Sequence, residues 1–475
     1  MKKYLILVLI LNFCLMEEIF EGYILYTPNI YQPTTYLMDV DNTIINSWEH
    51  QHEELPASMP YLINGSTSGY ENTILVYPCR CSNPSMVNGG YGGKIILYDW
   101  NNNIIFQTEI CDENYQAHHD IAVLPNNNIL INVWERKTAQ EAYNLGRINI
   151  NNSIDEVWSN AILEIEIDFE SGTSDIVWEW HLWDHLIQDV SPLLPNYGNI
   201  SENPQLFDIN LVSMGSNIHG DWVHCNSIDY NEYLDQIVLS YPGSGEIFVI
   251  DHSTSTEEAQ GNTGGNAGFG GDFLYRWGNP QNYGRGSDED QILFRQHSVN
   301  WIKSSILNEQ RIIIFNNNHL TEQNSTVLEI SPPLDIYGNY NIDNFASFLP
   351  LSWDWIHYTN IFSPFQSGAY RLENDNTLIT LNSNNMIYEI NMNNDVLWSY
   401  ETNDQILRVN KYGYNAFDFQ YNNGDINNDS LIDILDIVMI INIVLDNGYN
   451  QFADLNDDGV NSILDIVQLV NIILN

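Results

Sequence analysis

His118-His119-Asp120-Ile121-Ala122-Val123-Leu124, followed across a polar turn by Asn128-Ile129-Leu130-Ile131, decides the fold because the chain repeats the pattern. The other versions are His224-Cys225-Asn226-Ser227-Ile228-Asp229-Tyr230 with Gln236-Ile237-Val238-Leu239, and Gln296-His297-Ser298-Val299-Asn300-Trp301-Ile302 with Arg311-Ile312-Ile313-Ile314. A last version is Ser367-Gly368-Ala369-Tyr370-Arg371-Leu372 with Asn376-Thr377-Leu378-Ile379. Each predicts a hairpin, and hairpins recurring along a chain predict a repeating β architecture. Superimposing Ile121, Ile228, Val299 and Ala369 places His119, Asn226, His297 and Ser367 in one register. Side chains alternate along a strand, so His224 is expected on the face of Asn226, and His118 on the face opposite His119. If the hairpins are blades of one closed propeller, these polar groups converge on its central channel.

Outward from these hairpins, the body from about Ile19 to Phe419 alternates short β-rich runs with Asn, Gly and Asp turns. Lys94 to Asp99, Ile162 to Asp168, Glu246 to Asp251 and Met386 to Ile390 read as further strands, several followed by a partner such as Ile176 to Trp180 or Val396 to Tyr400. Such pairs predict the outer hairpin of each blade. The glycine-rich stretch from Gln260 to Gly271 has no phosphate-loop pattern and is expected to be a surface loop.

The 62 acidic residues against 15 basic ones give a net charge of −47, which excludes a non-specific nucleic-acid binder and argues against an anionic membrane as partner. Lys2-Lys3 precedes an apolar run from Tyr4 to Met16 that is too short to span a bilayer and suits a secretory signal. Residues 1–18 are therefore expected to be an export signal, with the mature chain periplasmic, cell-surface or secreted, and no later segment approaches a membrane span. Beyond the signal, Cys79, Cys81, Cys111 and Cys225 allow one or two disulfides whose pairing the sequence leaves open.

The character changes over the last residues, 421–475. Asp425, Asn427, Asp429, Asp433 and Asp436 fill positions 1, 3, 5, 9 and 12 of a calcium loop, with Leu431 offering its carbonyl at position 7. Asp454, Asn456, Asp458, Val460 and Asp465 repeat the pattern 29 residues later. Oxygen ligands at alternate positions suit a hard cation, so two structural calcium ions are expected, each loop running into an apolar helix. Asp in place of Glu at position 12 and the missing entry helix depart from an ordinary EF-hand, and the duplicated half-hand resembles a type I dockerin. That resemblance implies docking onto a cohesin-like surface protein.

The body, over roughly residues 22–400, resembles the bacterial arylsulfotransferases that act without a nucleotide sulfate donor. The resemblance is carried by Ala117 to Ile121, by Asp221-Trp222-Val223-His224 running on to Tyr230, by Tyr275-Arg276-Trp277-Gly278-Asn279-Pro280 and by Gln296 to Ile302. It implies an all-β, six-bladed β-propeller over residues 19–420, followed by the small all-α dockerin-like domain. It also implies transfer of a sulfuryl group from an aryl sulfate donor to a phenolic acceptor, with His297 as the sulfated histidine. His119 and His224 match its acid–base and charge-stabilising positions, Asn226 a sulfate contact, and Ser367 stands in register as a further one. The family carries a cation after the Asn226 strand, where this chain reads Leu239-Ser240-Tyr241-Pro242-Gly243. Either another cation substitutes, Arg295 being the candidate, or the propeller is a non-catalytic receptor for sulfated or aromatic ligands.

Overall fold

The computed structural model describes residues 18–65, 73–150, 152–211, 219–318, 324–341, 345–414, 416–417, 424, 426, 432–445, 448–450, 453–456 and 459–474. The proposed export signal thus lies outside the described residues, apart from Glu18. Six four-stranded antiparallel sheets are the blades of a β-propeller. The innermost strands of blades 2 to 6 are Tyr61–Ile63, Tyr115–Val123, Ser227–Asn231, His297–Ile302 and Gly368–Arg371. Blade 1 joins the two ends of the chain: Asn410–Gly413 is its innermost strand and pairs with Gly22–Tyr26.

Each blade is sandwiched between two others, so both of its faces are apolar. Ile237 and Leu239 pack toward blade 3 while Val238, between them, packs toward blade 5. In blade 5, Ile312 and Ile314 face blade 4, and Ile313 and Phe315 face blade 6. The period of two along continuous apolar runs is what a strand buried on both faces requires, and each such side chain contributes about 1.5–3 kcal/mol when fully buried.

The free edges of the inner strands are stitched from blade to blade by side chains. Asp120 accepts from the Ile228 N–H at 3.1 Å, Ser227 Oγ from Val299 at 3.0 Å, and Asp229 from Trp301 at 2.8 Å. Backbone donors that a sheet edge leaves orphaned are thereby satisfied. Closure of the ring places Lys411 2.6 Å from Glu389, both side chains fully buried, so the last inner strand is latched to blade 6.

Cys81 and Cys111 form a disulfide, while Cys79 and Cys225 are buried thiols whose pKa burial pushes up. In the C-terminal segment the helices Ile434–Leu445 and Ile463–Leu474 share a small core of Ile426, Ile440, Ala453 and Leu469. No helix among the described residues is long and apolar enough to cross a membrane.

Candidate active site

The channel histidines sit where the inner strands are irregular. Pairing in blade 3 slips between Ala117 and Ile121, and in blade 5 between His297 and Val299. His119, His224, Ser298 and Ser367 have φ of 58°, 53°, 50° and 73°, the left-handed region that side chains other than glycine rarely adopt. These bends fall within two residues of the aligned positions on four inner strands, which is how bulges re-aim side chains at the rim of a sheet. It also corrects the alternation expected from the sequence. His118 does not turn away from His119; the bulge brings their Nδ1 atoms to 2.8 Å. His224 and Asn226 precede the strand that begins at Ser227, so their directions follow the bent backbone rather than a pleat.

Gly90, at φ 77°, lets His119 in, since a Cβ there would stand 2.2 Å from its Nε2. The His119 and His224 rings meet edge to face at 4.4 Å, and His118 lies flat on Trp134 at 4.1 Å. His224 Nδ1 is hydrogen-bonded to Asp221 Oδ2. The same carboxylate accepts from Asn88 at 2.5 Å and from Trp134 Nε1 at 3.1 Å. Burial alone would raise Asp221, but His224 and the Asn88 amide hold it below its ordinary value.

His297 is held differently. Its Nδ1 lies 2.8 Å from Asn317 Oδ1 and 3.0 Å from the Arg295 carbonyl. Carbonyl oxygens only accept, so the proton sits on Nδ1 and Nε2 carries the lone pair. Burial pushes this ring down to about 4, with His224 and Arg408 adding to the effect and the Asn317 bond opposing it. Burial also takes His119 well below its ordinary value, reinforced by His224, His118, His297 and Arg408, and takes His118 down to about 3. These three rings are neutral at pH 7. His297 as a whole residue is half-buried.

The remaining sequence candidates divide. Asn226 donates Nδ2 to the Gln296 carbonyl at 2.8 Å, with its buried Oδ1 lacking a hydrogen-bond partner. Ser367 is committed elsewhere: its hydroxyl bonds Ser363 at 2.8 Å and accepts from the Asn382 N–H at 3.1 Å. Arg295 is exposed and contributes its carbonyl. Arg276, named in the family-like stretch, is a buried structural pair with Glu246, its two nitrogens 2.9 Å from the two carboxylate oxygens. Three groups were missed from sequence. Asp221, three residues before His224, was legible as an Asp-x-x-His spacing; Asn317 had no local signal; Arg408 stood alone in the apolar run Ile406-Leu407-Arg408-Val409.

In the C-terminal segment, Asp433, Asp436, Asp454, Asn456, Val460 and Asp465 are described, while Asp425, Asn427, Asp429, Leu431 and Asp458 lie outside the described residues. The two position-12 aspartates behave alike. Asp436 Oδ1 accepts from Ile426 N at 2.6 Å, and Asp465 Oδ1 from Leu455 N at 2.9 Å. Asp436, Asp454 and Asp465 are buried, and the segment 421–475 contains no Lys, Arg or His. Buried carboxylates in a segment without a cationic side chain fit a calcium ion.

A six-bladed propeller whose channel carries an uncharged, oriented imidazole beside an imidazole–carboxylate pair is a scaffold suited to nucleophilic group transfer. The chain belongs to the arylsulfotransferase family: the family model Arylsulfotransferase (ASST) matches residues 80–421. A Dockerin type I domain matches residues 423–474. No curated protein matches the chain. Among solved structures it is similar to a protein of unknown function from Bacteroides caccae, at 8% identity and TM-score 0.40, over 82% of this chain and 98% of that one. A streptogramin B lyase structure is similar at 11% identity and TM-score 0.35, over 81% and 80%. A functionally unknown protein from Desulfotomaculum acetoxidans is similar at 8% identity and TM-score 0.39, over 82% and 99%. Likenesses this distant carry no argument about function.

Proposed function

We propose that the propeller is an aryl-sulfate sulfotransferase working through a sulfohistidine at His297, exported and displayed by its C-terminal module. The observation that carries this reading is the tautomer of His297. With Nδ1–H held by Asn317 and the Arg295 carbonyl, Nε2 presents a lone pair on a ring that does not protonate at neutral pH.

In the first half-reaction Nε2 attacks the sulfur of the aryl sulfate. The N–S bond forms as the S–O(aryl) bond breaks, its electron pair leaving on the phenolate oxygen. His224, the pocket imidazole hydrogen-bonded to a carboxylate, hands that oxygen a proton. In the second half His224 removes the proton of the acceptor phenol, whose oxygen attacks sulfur, and the N–S electron pair returns to Nε2. His119 and the second N–H of the Asn226 amide, whose first is bonded to the Gln296 carbonyl, are the donors to the sulfuryl oxygens, where charge builds in both transition states. No nucleotide sulfate enters this cycle. Calcium would be held by Asp425, Asn427, Asp429, Leu431, Asp433 and Asp436 in one loop and by Asp454, Asn456, Asp458, Val460 and Asp465 in the other, and would supply structural cross-linking of the docking module. The partner of that module is a cohesin-like surface protein.

The test is mass spectrometry of the purified, calcium-loaded chain with and without a chromogenic aryl sulfate. A burst of phenol with a sulfuryl adduct on His297, both abolished in His297→Ala, is the expected result. Pro242, buried where the family places a cation, favours the second reading, a propeller that binds sulfated or aromatic ligands without turnover. A folded wild type that gives neither adduct nor phenol would establish that second reading over the first.

A further inference from the structure

Arg408 leaves the segment that joins blade 6 to the closing strand and crosses the channel. Its stem passes over Gly368, where a Cβ would come 3.0 Å from Cδ and 3.1 Å from Cγ. Its Nη2 reaches Asp120 Oδ1 at 2.5 Å and Ser58 Oγ at 3.0 Å, and its Nη1 lies 3.5 Å from Tyr370 Oη. Asp120 Oδ1 also accepts from Ser58 at 2.8 Å and lies 3.4 Å from Tyr61 Oη. Both charges are almost wholly buried, at 4% and 3% exposure. Asp120 follows His119 in the chain, and Ser58, His119 and Asp120 line one small cavity; a Cβ at Gly368 would also meet Ser298 Oγ at 2.8 Å, next to His297, so the pair lies beside the segments that carry both imidazoles. Tyr61 and Tyr370, which hold the pair, also line a separate cavity of about 730 Å³ with Asp229, Asn300 and Asn410.

We propose that Arg408 is the cation of the histidine pocket, a positioning residue that Asp120, Ser58 and Tyr370 fix beside the segments carrying His119 and His297, in place of the arginine missing near Pro242. The inference rests on the sulfuryl-transfer reading for its purpose. Arg295, the candidate from sequence, is exposed, whereas Arg408 acts on both rings. A guanidinium fixed at this point disfavours imidazolium on the rings beside it, keeping the nucleophile free. Among the described residues, the other titratable or charged groups facing His297 and His119 are His224, backed by Asp221, and His118; Asp120, Tyr61 and Tyr370 face Arg408.

Diethyl pyrocarbonate modifies neutral imidazole, so the modification rate of His297 against pH, read by peptide mass spectrometry on the full chain, reports its titration whether or not the protein turns over. Arg408→Met removes the cation and bares Asp120, and the midpoint should rise from about 4 by about one unit or more. Asp120→Asn bares the cation, and the midpoint should fall. Arg408→Lys should keep the wild-type value. A lone buried charge endangers the fold, so the double variant Asp120→Asn with Arg408→Met, which removes both, completes the set, and its midpoint should lie between those of the two single changes. Coincident midpoints, or single variants moving the same way, would overturn the proposal. If wild type forms no sulfuryl adduct, the transfer reading fails while these midpoints still decide the role of Arg408. If it does, Arg408→Met should slow adduct formation about 10- to 100-fold and Arg408→Lys should recover most of that.

Discussion

His252 and His297 are both strand-end histidines of this propeller with Nδ1 bonded to an oxygen, and their partners send them to opposite fates. His252, on the seam of blades 3 and 4, has Nδ1 2.7 Å from Asp235 and Nε2 2.9 Å from Glu164. Burial alone would lower it, but two carboxylates raise it to about 9. It is a cation with both nitrogens donating, and such a ring has no lone pair to attack with. His297 is buried to the same effect but meets only uncharged acceptors, so it falls to about 4 and keeps Nε2 free. The lesson is that the charge of the group opposite Nδ1, more than the burial of the ring, decides between clamp and nucleophile.

The comparison breaks hardest at His224, the pocket ring that shares the carboxylate partnership of His252. Asp221→Asn keeps the shape of the pair but removes the charge and disturbs the tautomer, so sulfuryl transfer should drop by roughly 10³- to 10⁴-fold. Steady-state kinetics with an aryl sulfate check this. A variant within tenfold of wild type would mean that Asp221 is a packing group and that the proton moves elsewhere.

A smaller effect comes from giving His297 the partner type of His252. Asn317→Asp retains an acceptor for Nδ1 and adds a negative charge, which stabilises imidazolium. The sign follows directly: the ring must be neutral to attack, so the acid limb of adduct formation should move upward by about 1–2 pH units. At pH 5 this is about a two- to tenfold loss, recovered by pH 8. A loss equal at both pH values would show that Asn317 acts through geometry alone.

How much of this was legible in the sequence follows from which physics is local. Blades 3 to 6 were readable because their inner hairpins are apolar on both faces, and Ile237-Val238-Leu239 shows the period within three residues. The inner strands of blades 1 and 2 were not: Asn410–Gly413 and Tyr61–Ile63 are too short to show a period, and one is recruited across the whole chain by pairing Gly22 with Gly413. At the site, the residue types His119, His224 and His297 were readable, but their directions were not. Bulges at Ala117 to Ile121 and at His297 to Val299 replace the alternation that strand reasoning assumes. Asn317 reaches His297 across blade 5's own hairpin, at the irregular end where His297 pairs with Phe315, and Arg408 comes from the closing segment to Asp120 in blade 3, a contact that only the closed ring creates.

The smallest effect falls on the clamp itself. His252 is raised from 6.5 to about 9, so its share of stability is complete below pH 6.5 and is lost as pH rises through about 9. Glu164 and Asp235 are held below their ordinary values by the bonds from His252, so their share is lost instead as the solution becomes acidic. The clamp is whole only between these limits, near pH 6. His252→Gln should therefore lower stability by roughly 1–3 kcal/mol there, the partial exposure of Asp235 keeping the value modest. The gap in melting temperature between variant and wild type should close toward pH 10, where wild type has lost the proton that the variant never had. A gap that persists at pH 10 would assign His252 to packing against Trp178, whose ring lies 4.9 Å away, and would remove the charged member of the comparison.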